Sequence, residues 1–456
     1  RTDALHSLLA AQGCVFEEKL GWERPGWFLE PSELTSSGHA DAVPKEYDYY
    51  GGYLQSYHEE DHPLARPVNE DHLYHRLVDG ECNFTWPASH EKVGREVDAC
   101  RNRVAVFNQS YFGKFFVAGP DAEAAMDWIS TAQIADRPVG DTVYTAMCNH
   151  RGGVECDLTV SRIEDDPATG AKNYYVAAGG GSAAHDLDWI RRSAEVGGFD
   201  ISVTDRTADF GLLNIQGPKA KEVLLAVADS PEEVDLGFSK NKLIKVAGHE
   251  VRAIRLTFMG EYGFELHAPA EGLVDVYQAL MKEGAQFGIE NSGYRAIDVL
   301  SAEKGYRHWS EDVRADDSAL EAGYAFVMKG FTKATKGNSA PFQGREALEK
   351  QKAAGLTRKL QCFTVDPSVP LHGSELILRD GVIVGHLRRA AFGHSIKRSI
   401  GFGYVAHPDG GVVSVDYLKG AEQWEIEVMG VRHPAKREPK AVFDPKNDRI
   451  KGNYTV

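Results

Sequence analysis

Between residues 122 and 129 the apolar side chains Ala122, Ala125, Met126 and Ile129 fall at i, i+3, i+4 and i+7, one face of a helix. This helix follows an apolar run, Lys114 to Ala118, across a Gly119-Pro120 turn, and a helix start tolerates proline. The same device returns further on. Leu213 to Ile215 read as a strand, Gly217-Pro218 as a turn, and Ala220, Val223, Leu224 and Val227 as a helical face. A strand–Gly-Pro–helix unit that occurs twice predicts two related α+β halves. Short strands such as "YYVAA", "FDISV" and "VRAIRLTF" and the helical stretch "LVDVYQALMKEGAQF" complete them. From about residue 355 the texture changes to short strands joined by Gly and Asp turns, with a hairpin signal at Arg379–Gly381. That predicts a compact all-β terminal domain. Residues 1–65 follow neither pattern. They are rich in Gly, Tyr, Trp and acids and end at "HPLARP", so the expected division is 1–65, 66–345 and 355–450.

A length of 456 residues suits two or three domains, and 42% hydrophobic with 26% charged residues indicates a globular chain. Net charge is −16, which argues against a nucleic-acid groove or an anionic membrane surface as partner. No apolar run reaches the roughly 18–20 residues of a membrane-spanning helix. The six cysteines are scattered without a C-x-x-C pair, so a reducing compartment is expected. With Arg1 first, the sequence reads as a piece of something longer.

Four stretches invite chemistry. "HEEDH" at 58–62 satisfies H-E-x-x-H, but nearby Gly51, Gly52 and Pro63 leave no helix to present the two histidines, so no metal site is expected. "AAGGGSAAH" at 177–185 resembles a phosphate loop without the required spacing or lysine, and a tight strand-to-helix connection explains it equally well. In "MCNHRGGVECDLTVSRI" the carboxylate Asp157 follows a tight Gly152-Gly153 turn on an otherwise apolar strand. It either caps the turn or points inward to a partner. In "FMGEYGFELH", Glu265 falls within an apolar alternation, where a carboxylate must be bonded by donors. A paired N–H edge suits it, whether a pterin ring or an arginine such as Arg255.

These stretches occur in one order with "GWERPGWF", "YDYYGGY", "FNQSYFGKFFVAG", "IQGP", "GYRAIDVLSAEKGYRHW", "LEAGYAFV", "FQGREAL", "GHLRRAAFG" and "FDPKNDRIKG". The whole chain thereby resembles the C-terminal, folate-binding half of the sarcosine dehydrogenases, and its residues from about 70 the folate half of the dimethylglycine dehydrogenases. From about residue 70 it is similar to the glycine-cleavage aminomethyltransferases.

The resemblance implies an aminomethyltransferase-like α+β body with a C-terminal β-barrel-like domain and an N-terminal linking module. It implies tetrahydrofolate as the acceptor of a one-carbon unit from a sarcosine-derived imine, leaving glycine. It places FAD in a flavin-binding half not recognisable in this chain, so dehydrogenase activity is not expected of the chain alone. By the same resemblance Asp157 is the catalytic carboxylate and Glu265 accepts from the pterin N–H edge. Phe258 stands where relatives often place a tyrosine. Asn108, with Ser110 beside it, matches the "FNQS" signature, and Arg295 is a candidate for holding folate or its glutamate tail. Cys156 replaces a second acid. Trp22 and Trp27 would dock the flavin half. A mitochondrial matrix location is implied for a eukaryotic source, cytoplasm for a bacterial one. A non-catalytic scaffold on the same fold and an autonomous aminomethyltransferase are the rival readings.

Overall fold

The computed structural model describes residues 1–30, 33, 80, 81 and 83–454; the "HEEDH", "YDYYGGY" and "HPLARP" stretches lie outside them. The chain begins with α1 (His6–Ala11) and a hairpin, β1 (Cys14–Lys19) and β2 (Trp22–Phe28). Next come α2 (His90–Asn102) and β3 (Val104–Asn108).

Two units of identical element order follow. The first is β4 (Gly113–Ala118), α3 (Ala122–Ile129), β5 (Thr142–Cys148), β6 (Val154–Ile163), β7 (Asn173–Ala178), α4 (Ala183–Gly197) and β8 (Ser202–Asp205). The second is β9 (Phe210–Gln216), α5 (Ala220–Val227), β10 (Asn241–Val246), β11 (His249–Ile254), β12 (Gly263–Pro269), α6 (Leu273–Gly284) and β13 (Ile289–Ser292). Their sheets run β5-β6-β7-β4-β8 and β10-β11-β12-β9-β3-β13. Both have the order second, third, fourth, first, fifth, with β3 inserted in the second sheet. The Gly-Pro turns match as well. Gly119 and Gly217 take φ of +126° and +134°, and a Cβ on either would stand 2.7 Å or less from a backbone oxygen. Only glycine fits there.

The helices lie outside. The four predicted apolar positions of α3 are buried, as are the four of α5. They pack on Phe115, Val117, Leu158 and Val176 of the first sheet and on Leu213, Ile215, Phe264 and Leu266 of the second. Because strand side chains alternate, the opposite faces of the two sheets carry the remaining residues. Those faces meet through Phe116, Ile163, Tyr175, Ile254 and Leu256.

The helix α7 (Tyr294–Glu303) and an irregular stretch, residues 304–344, cover one end, where Tyr324, Met328 and Phe331 pack on Ala146 and Cys148. Beyond α8 (Arg345–Ala354), β14 (Arg358–Val365), β15 (Leu376–Arg379), β16 (Val382–Gly393), β17 (Arg398–Ala406), β18 (Trp424–Val428) and β19 (Val431–Glu438) close a barrel in the order β14-β17-β16-β15-β18-β19. The predicted hairpin is there: Arg379 pairs with Val382 across Asp380-Gly381.

The N-terminal hairpin corrects one expectation. Trp27 is 4% exposed and packs with Val93, Val97, Phe107 and Met259 of the main body, so it cannot serve as a docking residue for a partner. Trp22 stays partly exposed, with the Arg1 guanidinium 5.7 Å from its ring. A buried acid fastens the hairpin: Glu96 accepts from Phe28 N at 2.7 Å and from Gly293 N at 2.8 Å. Burial pushes its pKa up to about 8.

Candidate functional site

The space between the two sheets is built from their inner faces. On the first sheet Asp157, Ser161 and Tyr175 share a face, because Asp157 and Ser161 have the same parity and Ser161 pairs with Tyr175. On the second, Glu265 pairs with Ile254 and with Asn214, and His267 lies two residues on. The Tyr175 hydroxyl meets His267 Nδ1 at 2.7 Å, tying one face to the other. Asp157 and Glu265 thus lie on the inward faces of the two sheets.

Asp157 does not cap its turn. Asn149 does that, accepting from the backbone N–H of Arg151 and Gly153. Asp157 Oδ2 accepts from the Tyr144 hydroxyl at 2.5 Å and from the Tyr324 hydroxyl at 3.1 Å. Burial raises its pKa above the usual carboxylate range, although the two hydroxyls and nearby His308 pull the other way. His308 is held toward its neutral form by burial and by the charge of Arg389, and its Nε2 bonds the Tyr294 hydroxyl. The arrangement is a buried carboxylate held by two tyrosine hydroxyls and walled by Tyr144, Tyr324 and Phe326, whose rings stand 6.4–6.5 Å apart.

The two glutamates of "FMGEYGFELH" have opposite situations. Glu261 is fully buried and saturated, accepting from Arg101 at 2.7 Å, Arg449 at 2.8 Å and Tyr454 at 3.1 Å. It pins the C-terminal segment to the body. Glu265 is 13% exposed, and its one hydrogen-bond partner among the described residues is His267 Nε2, 3.4 Å from Oε2. The arginine-bridge reading fails, because Arg255 donates to the Leu236 and Ile450 carbonyls and lies over Tyr262. Oε1 of Glu265 is thus free to accept from an N–H donor. On the same face, Gln216 Oε1 is buried without a partner among the described residues, while Asn214 and Gln109 continue the polar row.

Phe258 joins this strand to the Asp157 side, its ring 6.0 Å from Tyr306 and 6.5 Å from His308. Asn108 is not brought to them. It shares a face with Leu213, on the helix side, and its amide is taken by Asp3 and Ser110. Its effect is to shape the loop that carries Gln109 and Tyr111. Arg295 is engaged elsewhere by its Nε and Nη1. Its guanidinium bonds Glu17 at 2.6 Å, Ser89 at 2.8 Å and Glu81, and stacks on Trp27 at 4.1 Å. Held by two carboxylates, it clamps the hairpin to α2 and α7. The glycine loop at 179–181 is a close connection: a Cβ on Gly180 would collide with Tyr111 at 2.3 Å.

Sequence reasoning missed Tyr144, Tyr324, His308 and His267, although "LEAGYAFV", "GYRHW" and "GFELH" carry three of them. The available signal was that His267 shares the phase of Glu265 on β12.

The GCVT N-terminal domain model matches residues 5–330, and the glycine cleavage T-protein C-terminal barrel domain model matches residues 358–444. This chain belongs to the glycine cleavage T-protein family. Within reach of that family are the mitochondrial sarcosine dehydrogenase of Mus musculus, 46% identical over all of this chain and 47% of that protein, and the mitochondrial dimethylglycine dehydrogenase of Homo sapiens, 31% identical over 99% and 45%. The chain thus spans about half the length of these dehydrogenases, lying on the aminomethyltransferase-like part. An aminomethyltransferase of Caldanaerobacter subterraneus is 31% identical over 73% of this chain and 85% of its own length. The family fold is that of glycine cleavage system aminomethyltransferase T from Bartonella henselae, with TM-score 0.70, 18% identity and 98% of each chain covered. Among the described residues, no helix is long and apolar enough to cross a membrane.

Proposed function

We propose that this chain is the tetrahydrofolate-binding, one-carbon-accepting half of a sarcosine dehydrogenase-type flavoenzyme. The observation that supports the reading is that strand parity puts two carboxylates, Asp157 and Glu265, on the inward faces of the two sheets. Glu265, with an acceptor oxygen to spare, fits the N–H edge of a pterin, and a carboxylate bonded by such donors is stabilised rather than stranded. Reduced folate, when bound, supplies the nitrogens that accept the one-carbon unit. Asp157 holds or moves a proton beside them, its basicity raised by burial and tempered by the Tyr144 and Tyr324 hydroxyls. Phe258 and the tyrosines exclude water and offer faces for stacking. Residues 1–65 lead from a flavin-binding half that holds FAD, 66–345 form the folate body and 355–450 the barrel. The partner half delivers the imine formed from sarcosine. In a eukaryotic source the protein works in the mitochondrial matrix, a reading that the mitochondrial relatives support, and in a bacterial source in the cytoplasm.

The test is reconstitution. With the flavin half, sarcosine and tetrahydrofolate, the chain is expected to yield methylenetetrahydrofolate, and Asp157→Asn to yield free formaldehyde at undiminished sarcosine oxidation. Equal methylenetetrahydrofolate formation by the variant would overturn the role of Asp157. Failure of the wild type to bind any reduced folate would favour a scaffold.

A further inference from the structure

Gln216 ends β9 with its side chain on the inward face, and it is 0% exposed. Register sets it opposite Gly263 and diagonal to Glu265, which pairs with Asn214, so the two side chains are neighbours on one face of the sheet. The glycine lets the amide lie across β12: a Cβ on Gly263 would stand 2.4 Å from Gln216 Cδ. Nε2 donates to Asn214 Oδ1 at 2.7 Å and to the Leu256 carbonyl at 2.9 Å, which uses both of its hydrogens and ties β9 to the loop carrying Phe258. That carbonyl fixes the orientation, because the amide turned over would set oxygen against oxygen. Asn214 cannot turn to help, since its own Nδ2 is given to Gln109 Oε1 at 2.9 Å. Oε1 of Gln216 is therefore locked away from these partners, fully buried and without a donor among the described residues. A buried acceptor left bare is costly, and it stands beside the carboxylate that itself has an oxygen to spare.

We propose that Gln216 Oε1 is a second acceptor for the ligand beside Glu265, taking one hydrogen of the pterin 2-amino group while Glu265 takes the other together with the ring N–H. This rests on the folate reading above and adds to it a residue that determines specificity. The chemistry matches: a carboxylate accepts a paired N–H edge, and the 2-amino group carries one hydrogen more than that pair uses. A ring with oxygen in place of that amino group would set an acceptor against Oε1 and be refused.

The experiment measures dissociation constants of wild type and Gln216→Met for 5-formyltetrahydropteroate and two analogues. One analogue has its 2-amino group N-methylated and keeps a single N–H there; the other carries methyl in place of the 2-amino group and keeps none. Wild type is expected to bind the N-methyl analogue about tenfold more weakly than the parent, because a site built to accept a hydrogen bond rejects the ligand that lacks it. Gln216→Met is expected to bind the parent about tenfold more weakly than wild type does, and to bind parent and N-methyl analogue within about twofold of each other. The analogue without the amino group is expected to bind both proteins equally. A loss of similar size for all three ligands in Gln216→Met would make Gln216 a structural residue and overturn the assignment. Equal wild-type binding of parent and N-methyl analogue would also overturn it, leaving Oε1 to a water molecule; this arm needs no variant and stands if Gln216→Met does not fold. Absence of wild-type binding to all three ligands would overturn the folate reading and this assignment with it.

Discussion

The Tyr144 hydroxyl donates to Asp157 Oδ2 at 2.5 Å, across two adjacent strands of the first sheet. A hydrogen bond to the charged form holds a carboxylate pKa down, here against burial that holds it up. Tyr144→Phe removes the donor and leaves Tyr324 alone on that oxygen. The acidic limb of the one-carbon-transfer pH profile is expected to move upward by about one unit, since a hydrogen bond to a charged group contributes about 1.5 kcal/mol. An unmoved limb would mean that Asp157 is not the group titrating.

Arg295 separates a binding role from a clamping one. Arg295→Met strips Glu17 and Glu81 of their partner and uncovers one face of Trp27. Stability is expected to fall by roughly 2 kcal/mol, with the reduced-folate Kd of the folded variant within about twofold of wild type. A weakened Kd at unchanged thermal midpoint would restore the residue to the ligand.

Glu96 gives stability a pH dependence. Its folded pKa of about 8 lies above the ordinary 4.5 of a glutamate, so between those values the native state keeps a proton that the unfolded chain has released. Its contribution is complete below about 4.5 and is lost as pH rises through 8. Glu96→Gln cannot accept two backbone N–H bonds and is expected to be less stable than wild type at pH 5. The gap between the two proteins should narrow by pH 9. Thermal midpoints across that range check it, and a gap that widens with pH would show Glu96 to be ionised in the fold.

What could be read in the sequence followed from periodicity. Ala122, Ala125, Met126 and Ile129, repeated as Ala220, Val223, Leu224 and Val227, announce two helices that bury one face each, and the Gly-Pro turns mark what precedes them. The barrel was legible from its turns. The site was not, because its contacts join distant residues. Tyr324 reaches Asp157 from 167 positions away, and the partners of Arg295 lie 278 and 214 positions off. A lone arginine in a helix gives no sign of which carboxylate will claim it. Asp157 and Glu265 drew notice as carboxylates on apolar strands, but only resemblance attached chemistry to them. Trp27 misled because eight residues of hairpin do not reveal which side chains face the body.

The central claim is that Glu265 receives the N–H edge of a reduced folate. Equilibrium titration of wild type and Glu265→Ala with 5-formyltetrahydropteroate tests it most directly, because that ligand carries the pterin and lacks the glutamate. Loss of a charge-assisted acceptor predicts weakening by about 2 kcal/mol, close to thirtyfold, with His267 and the fold intact. Saturable binding of equal strength to both proteins would contradict the account.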